Sequence, residues 1–147
     1  MALSLSWNGG PWVADTSAWA RAAASGVAEP WAAAARLGEL VACPVVTLEL
    51  LLDARDIGEI DRIATALAAM RQAPVTRAVT DAAIGAVREL AARGSAGAHR
   101  VRVPDALIAA AAAERGYGVL HYDHHFDRLA TVLGFASQWV APAGSIA

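Results

Sequence analysis

This sequence of 147 residues has one cysteine and no lysine. The single cysteine, Cys43, excludes an internal disulfide framework and any site built from paired cysteines. All 12 basic residues are arginine, so no lysine is available for a phosphate-binding P-loop, for a Schiff base or for pairing with a phosphorylated aspartate. These absences exclude several classes of enzyme before any motif is considered.

Long apolar runs and a secretion signal are also missing. Hydrophobic residues make up 56% of the chain, but 38 of them are alanine, which favours a helix-rich globular protein. The apolar tract at 109–113 is closed by Glu114 and Arg115, far short of the roughly 18 residues that a membrane span needs. Residues 1–11 contain no basic start followed by an apolar core. We therefore expect a cytoplasmic protein with no membrane association, and the net charge of −2 argues against a generic basic nucleic-acid binder.

Short apolar runs alternate with helical patterns along the chain, which indicates βα units around a parallel sheet. The predicted strands lie at residues 12–14, 44–46, 74–75, 118–122 and 138–140. The predicted helices lie at 16–24, 30–42, 48–55, 56–70, from 80 or 81 to 93, 104–115 and 126–133. Thr47 is expected to cap the third of these helices, and Asp56 with Glu59 has the spacing of a capping box. The length favours a single domain, and the small-residue segments 2–10 and 141–147 are expected to be loosely ordered.

Four acidic residues fall where predicted strands end or predicted helices begin: Asp15, Glu49, Asp105 and Asp123. Ligands of open α/β sheets bind beyond the carboxyl ends of the strands, so these side chains can meet at one edge. Clustered carboxylates oppose one another's ionisation unless a cation neutralises them, and oxygen-only ligands favour Mg²⁺ or Mn²⁺. Such an ion can activate water and neutralise charge on a phosphate group. The pattern therefore indicates a metal-dependent phosphodiester or phosphate-ester hydrolase.

Four segments carry a more specific signal: VADTSAW at 13–19, TLELL at 47–51, VPDALIA at 103–109 and LHYDHHFD at 120–127. In this order and at these spacings they resemble the PIN-domain ribonucleases, and more closely the VapC toxins of bacterial toxin–antitoxin pairs. The resemblance implies an α/β protein with a three-layer α/β/α architecture and a mainly parallel five-stranded sheet. It places residues 1–147 in a single PIN domain, with the motif-bearing core at about 12–141.

The same resemblance implies an activity and partners. It implies an endoribonuclease toxin that depends on Mg²⁺ or Mn²⁺ and hydrolyses RNA phosphodiester bonds through an activated water. It also implies a homodimer and a cognate antitoxin that places an arginine among the carboxylates. Residue by residue, Asp15, Glu49, Asp105 and Asp123 match the catalytic and metal-binding acids, and Ser17 matches a hydroxyl that supports Asp15.

The chain departs from the family pattern at His125, where many relatives have a second aspartate. Because a neutral histidine is a poor Mg²⁺ ligand, the fourth corner of the site is expected to rest on Asp123 alone. This departure keeps open an alternative, a PIN-like interaction module without nuclease activity. A phosphohydrolase with an aspartyl-phosphate intermediate is disfavoured, because it needs a lysine or a second aspartate two residues after Asp15.

Other polar residues near the motifs have simpler interpretations. Asp127 is expected to face solvent or to pair with Arg128. Arg100 and Arg102 are interpreted as solvated surface residues, with contact to RNA as the alternative. His121 is interpreted as a strand residue whose ring is hydrogen-bonded within the protein.

Overall fold

A computed structural model describes residues 7–147 and contains a five-stranded sheet in which every pair of neighbouring strands is parallel. The strands are β1 (Trp12–Ala14), β2 (Leu40–Ala42), β3 (Arg71–Gln72), β4 (Gly118–His121) and β5 (Ser137–Trp139). Their order across the sheet is β3-β2-β1-β4-β5. The predicted mainly parallel five-stranded sheet is therefore confirmed, and β1 lies at its centre.

Helices connect the strands. Those found within residues 7–147 are α1 (Thr16–Trp19), α2 (Ala28–Arg36), α3 (Pro44–Leu52), α4 (Ile57–Ala68), α5 (Arg77–Arg93), α6 (Val103–Glu114) and α7 (His124–Leu133). None of the helices in this part of the chain combines the length and the apolar character needed to cross a bilayer.

Alternating strand residues pack into two hydrophobic clusters, one on each face of the sheet. Val13 of β1 faces a cluster built largely with α5, α6 and α7, whereas its neighbours Trp12 and Ala14 face a second cluster with residues of α1 and α2. Successive side chains of a strand point to opposite faces, so this division places helices on both sides of the sheet. The α/β/α layering expected from the sequence is confirmed.

The second strand lies four residues earlier than predicted. Residues 44–46, predicted as a strand, form the first turn of α3, because Pro44 suits a first helical position and cannot donate to a strand ladder. Cys43 is the extended residue before this helix, and Thr47 lies inside it rather than capping it. Glu49 consequently lies in the second turn of α3, further from the helix start than predicted.

Other boundaries also shift. The third strand is at Arg71–Gln72, not at 74–75. The helix predicted to begin at residue 80 or 81 begins at Arg77, where Thr76 caps it by accepting a hydrogen bond from the Val79 N–H. The helix predicted to reach residue 24 ends at Trp19, and the one predicted to reach residue 42 ends at Arg36 to leave room for β2.

Segments at both ends of the described chain contact the core. Of the segment expected to be loosely ordered at 2–10, residues 2–6 lie outside the described residues, while Trp7 is buried and packs edge-on against Trp31. Near the other end, the Tyr122 hydroxyl donates a hydrogen bond to the Ile146 carbonyl at 3.0 Å. This bond joins the segment 141–147 to the end of β4.

Candidate active site

Asp15 follows β1 directly and is held by the hydroxyl group of Ser17. Oδ2 of Asp15 accepts hydrogen bonds from the Ser17 hydroxyl at 2.5 Å and from the Ser17 N–H at 3.0 Å. The Ser17 oxygen in turn accepts a bond from the Tyr122 N–H at 3.0 Å, immediately after β4. Ser17 thus orients the buried carboxylate and links the ends of β1 and β4.

Glu49 reaches the same edge of the sheet from α3. Its Oε1 accepts a hydrogen bond from the Thr16 hydroxyl at 2.9 Å, so the adjacent residues Thr16 and Ser17 hold two different carboxylates. Its Oε2 lies 3.4 Å from Nη2 of Arg102, whose side chain is 59% exposed. Arg102 was interpreted from the sequence as a solvated residue, but the structure pairs it with a predicted site acid.

Asp105 and Asp123 come from the starts of two helices. Asp105 is buried in the first turn of α6, where the helix dipole favours a negative charge. Asp123 precedes α7, and its Oδ1 accepts a hydrogen bond from the His125 N–H at 2.9 Å. The side chain of His125 then turns toward α6, and its Nδ1 lies 2.8 Å from Oδ2 of Asp105.

Asp105, Asp123 and His125 form a group of potential metal ligands among the described residues. One ligand atom from each of Asp105, Asp123 and His125 lies within 4.8 Å of the other two. Asp15 and Glu49 are connected beside this group through Ser17 and Thr16. The structure therefore brings the four predicted acids to one edge, and it adds His125 to them.

Burial and repulsion by neighbouring carboxylates disfavour the charged forms of Asp15 and Asp105. Burial raises the pKa of Asp15, although its hydrogen bonds with Ser17 oppose the shift. Burial raises the pKa of Asp105 to about 6; the hydrogen bond with His125 opposes the shift, and the charges of Asp15 and Asp123 add to it. A bound cation would reverse this balance, because it stabilises the charged oxygen donors. The donor set thus fits a divalent cation.

The contacts of His125 and of Thr16 were not predicted from the sequence. The sequence marks His125 only as a departure from the family pattern, and its contact depends on how α6 and α7 pack.

Asp127 was predicted to face solvent or to pair with Arg128, but it accepts hydrogen bonds from the Ser137 hydroxyl and the Trp139 ring N–H. These two hydrogen bonds connect α7, which carries Asp127, to β5. The His121 ring is hydrogen-bonded through Ser137, as expected.

Comparisons with known proteins agree with this architecture. The sequence model of the PIN domain family matches residues 13–132. Ribonuclease VapC18 of Mycobacterium tuberculosis is 36% identical over 132 residues, which cover 90% of this chain and 96% of that protein. Ribonuclease VapC51 of the same organism is 40% identical over 112 residues, or 76% of this chain and 80% of that protein.

Two solved structures share the fold. VapBC2 from Rickettsia felis, bound to a DNA fragment from its promoter, aligns with a TM-score of 0.65 at 12% identity, covering 87% of this chain and 97% of that one. VapBC-5, from the VapBC family of toxin–antitoxin systems of M. tuberculosis, aligns with a TM-score of 0.51 at 24% identity, covering 68% of this chain and 81% of that one.

Proposed function

The chain belongs to the PIN domain family, and from this premise we propose that it is a VapC-type endoribonuclease toxin that hydrolyses RNA phosphodiester bonds. The observation that carries the proposal is the meeting of four acids from four separate segments at one edge of a parallel sheet, in a chain whose relatives are named as ribonucleases. We further propose that residues 1–147 act as one domain.

Asp15, Glu49, Asp105 and Asp123 are the proposed catalytic and metal-binding residues. Mg²⁺ or Mn²⁺ is the proposed cofactor, because carboxylate oxygens suit both ions. When bound, such an ion supplies charge neutralisation at a phosphodiester and lowers the pKa of water. The protein contributes the fixed positions of the oxygen donors: Ser17 holds Asp15, Thr16 holds Glu49, and His125 contacts Asp105.

The proposed partners follow from the same family membership. RNA is the proposed substrate, and it makes the cytoplasm the compartment in which we expect the chain to act. The VapBC names of the structural relatives denote toxin–antitoxin systems, so we propose that this chain pairs with a cognate antitoxin. A basic antitoxin side chain, an arginine by preference, would neutralise the acidic edge by bidentate contact with its carboxylates. We also propose a homodimer.

Cleavage of total bacterial RNA, followed by mapping of new 5′ ends, tests the proposed activity. The purified chain, free of antitoxin, is incubated with Mg²⁺ or Mn²⁺, with and without a chelator. We expect discrete cleavage sites that disappear with the chelator. The variants Asp15→Asn and Asp105→Asn should lose activity by more than about 100-fold, because changing the partners of metal ligands already costs about 10- to 100-fold.

Asp81→Asn provides the matched control. Asp81 lies on α5 with its side chain 67% exposed, so the same chemical change there should leave cleavage intact. If the folded, metal-loaded chain leaves RNA that contains its target uncut, the nuclease assignment is wrong. The PIN-like interaction module then becomes the better description.

A further inference from the structure

Nδ1 of His125 is hydrogen-bonded to the Asp105 carboxylate and would exchange this bond for an ion in order to act as a ligand. The Arg102 N–H also points to this nitrogen, at 3.4 Å. The same Nδ1 lies 2.8 Å from Oδ2 of Asp105 and 3.8 Å from Oδ1 of Asp123. The His125 side chain is 21% exposed, so the ring is largely enclosed but still reachable from solvent. A single nitrogen atom therefore faces the carboxylates of both Asp105 and Asp123.

The direction of the ring is fixed by the start of α7. The Asp123 carboxylate caps the helix by accepting from the His125 N–H, which sets where the His125 side chain leaves the backbone. The preceding histidine leaves in another direction: the His124 ring packs against Trp139 at a centroid distance of 4.8 Å, and its side chain is 74% exposed. Of these two adjacent histidines, His125 faces Asp105 and Asp123, whereas His124 lies near Asp127. A substitution of His124 can therefore serve as a control.

The chemistry of this nitrogen differs from that of the surrounding oxygens. Mg²⁺ takes oxygen ligands in a strict octahedral arrangement and gives up its water reluctantly. Carboxylate oxygens suit both Mg²⁺ and Mn²⁺, whereas imidazole nitrogen suits transition ions, and of these two ions only Mn²⁺ is a transition ion. A neutral nitrogen also neighbours two carboxylates without adding a third negative charge to their repulsion.

We propose that His125 supplies a nitrogen ligand beside Asp105 and Asp123, and that it shifts the ion preference of the site from Mg²⁺ toward Mn²⁺. This inference rests on the proposed function, since it concerns the cofactor of the same site. Replacing His125 with aspartate makes the set entirely oxygen-based. The replacement should therefore strengthen Mg²⁺ binding relative to Mn²⁺ binding.

Direct binding of the two ions to the full chain, in the absence of RNA, tests the proposal. Isothermal titration calorimetry gives the ratio of the Mg²⁺ and Mn²⁺ dissociation constants for the unmodified chain, His125→Asp and the control His124→Asp. We expect the preference for Mn²⁺ to fall about tenfold in His125→Asp, a change within the range produced by altering the surroundings of a metal site. It should stay unchanged in His124→Asp.

Pulsed electron paramagnetic resonance of bound Mn²⁺ supplies a second readout. Coupling to a directly bound ¹⁴N nucleus should be present in the unmodified chain and in His124→Asp, and absent in His125→Asp. His125→Gln, which keeps a polar side chain of similar size, should also lose the coupling. It serves as the test variant if circular dichroism shows that His125→Asp is unfolded.

The outcomes separate this inference from the proposed function. Mn²⁺ binding without nitrogen coupling, or an unchanged ion ratio in a folded His125 variant, overturns the role of His125 and leaves a metal-dependent nuclease intact. Failure of the unmodified chain to bind either ion, together with cleavage that resists the chelator, overturns the metal-dependent mechanism and the role of His125 together.

Discussion

Ser17 illustrates how one small side chain can control a buried acid. Its hydroxyl donates to Asp15 and accepts from the Tyr122 N–H, so it satisfies two groups that belong to different strand ends. Removing it leaves the Tyr122 N–H without this acceptor and leaves the Ser17 N–H to hold Oδ2 of Asp15 without the hydroxyl. We therefore expect both stability and the proposed catalysis to depend on the same oxygen.

We expect Ser17→Ala to lower the free energy of unfolding by about 1–3 kcal/mol, the usual cost of a polar group left without a partner in the protein. RNA cleavage should fall by about 10-fold or more, because Asp15, the proposed metal-binding acid, loses one of the hydrogen bonds that orient it. Urea unfolding and initial cleavage rates measure the two effects. Ser95→Ala, in the exposed loop after α5, is the control. If Ser17→Ala and Ser95→Ala had the same stability and the same cleavage rate, the proposed role of Ser17 in the site would be wrong.

Arg102 has a different role, since its side chain is more than half exposed and borders the acids. It pairs with Glu49 at 3.4 Å, a separation at which an exposed ion pair contributes little stability. Its position at the rim instead suits contact with an RNA phosphate. No local pattern predicts this pairing, because Arg102 and Glu49 lie 53 residues apart in the chain.

Arg102→Gln should weaken RNA binding and reduce the slope of log affinity against log salt concentration by about 0.7, the value for one lost phosphate contact on a single strand. Binding is measured with Asp15→Asn in the background, so that the RNA stays intact. Arg115→Gln, at the far end of α6 and exposed, should leave the slope unchanged. A loss of affinity without a change in slope would argue against a phosphate contact.

At the scale of elements, the start of α3 shows where local patterns mislead. The run from Pro44 to Val46 has the apolar, β-branched character of a short strand, yet it forms the first turn of a helix. Residues 40–42 already form the strand that pairs with β1 and β3, so residues 44–46 lie beyond the sheet and enter the helix. Such pairing is not visible in a short window of sequence.

By contrast, the Asp56 cap of α4 was predicted, since it depends only on residues three positions apart.

The start of α5 offers a direct test of such a boundary. Thr76 caps the helix through a bond from the Val79 N–H at 3.2 Å, whereas Thr80, an exposed residue predicted as a possible start, lies inside it. Thr76→Ala should destabilise the fold by about 1 kcal/mol, as is typical of a lost cap. Thr80→Ala should change stability by less than about 0.5 kcal/mol, because alanine is the better helix former. Denaturant unfolding of both variants measures the difference, and the reverse order would place the helix start at Thr80.

For the whole molecule, the sequence predicted the elements better than their arrangement. The alternation of strands and helices, the parallel sheet and the edge at which Asp15, Asp105 and Asp123 meet all follow from patterns along the chain. The strand order follows from long-range pairing and was not predicted. The same limit applies to His125, whose contact with Asp105 depends on how α6 and α7 pack. Predictions therefore held for the layering and for the edge where the acids meet, and they failed where packing between segments decides a helix or strand boundary or a side-chain contact.

The acidic edge also links catalysis to the stability of the entire fold, because it joins β1, α3, α6 and α7. Burial raises the pKa of Asp105 to about 6, which means that the fold opposes its charged form. Asp105→Asn removes that charge while keeping the size of the side chain. Without metal at pH 7, we expect the variant to be more stable than the unmodified chain by about 1–3 kcal/mol, because the raised pKa means that the fold disfavours the charged carboxyl by about 1.4 kcal/mol per pKa unit.

Divalent cation should reverse this order. Bound at about 100 times its dissociation constant, it adds about 2.7 kcal/mol to the stability of a chain that binds it only when folded. Thermal unfolding in chelator and in Mn²⁺ should therefore show a large rise in Tm for the unmodified chain and little change for Asp105→Asn. Asp81→Asn should follow the unmodified chain. Because we expect Asp105→Asn to remain folded, its loss of cleavage would reflect the missing ligand and not unfolding of the chain. An equal rise in Tm for both chains would instead place the cation away from Asp105.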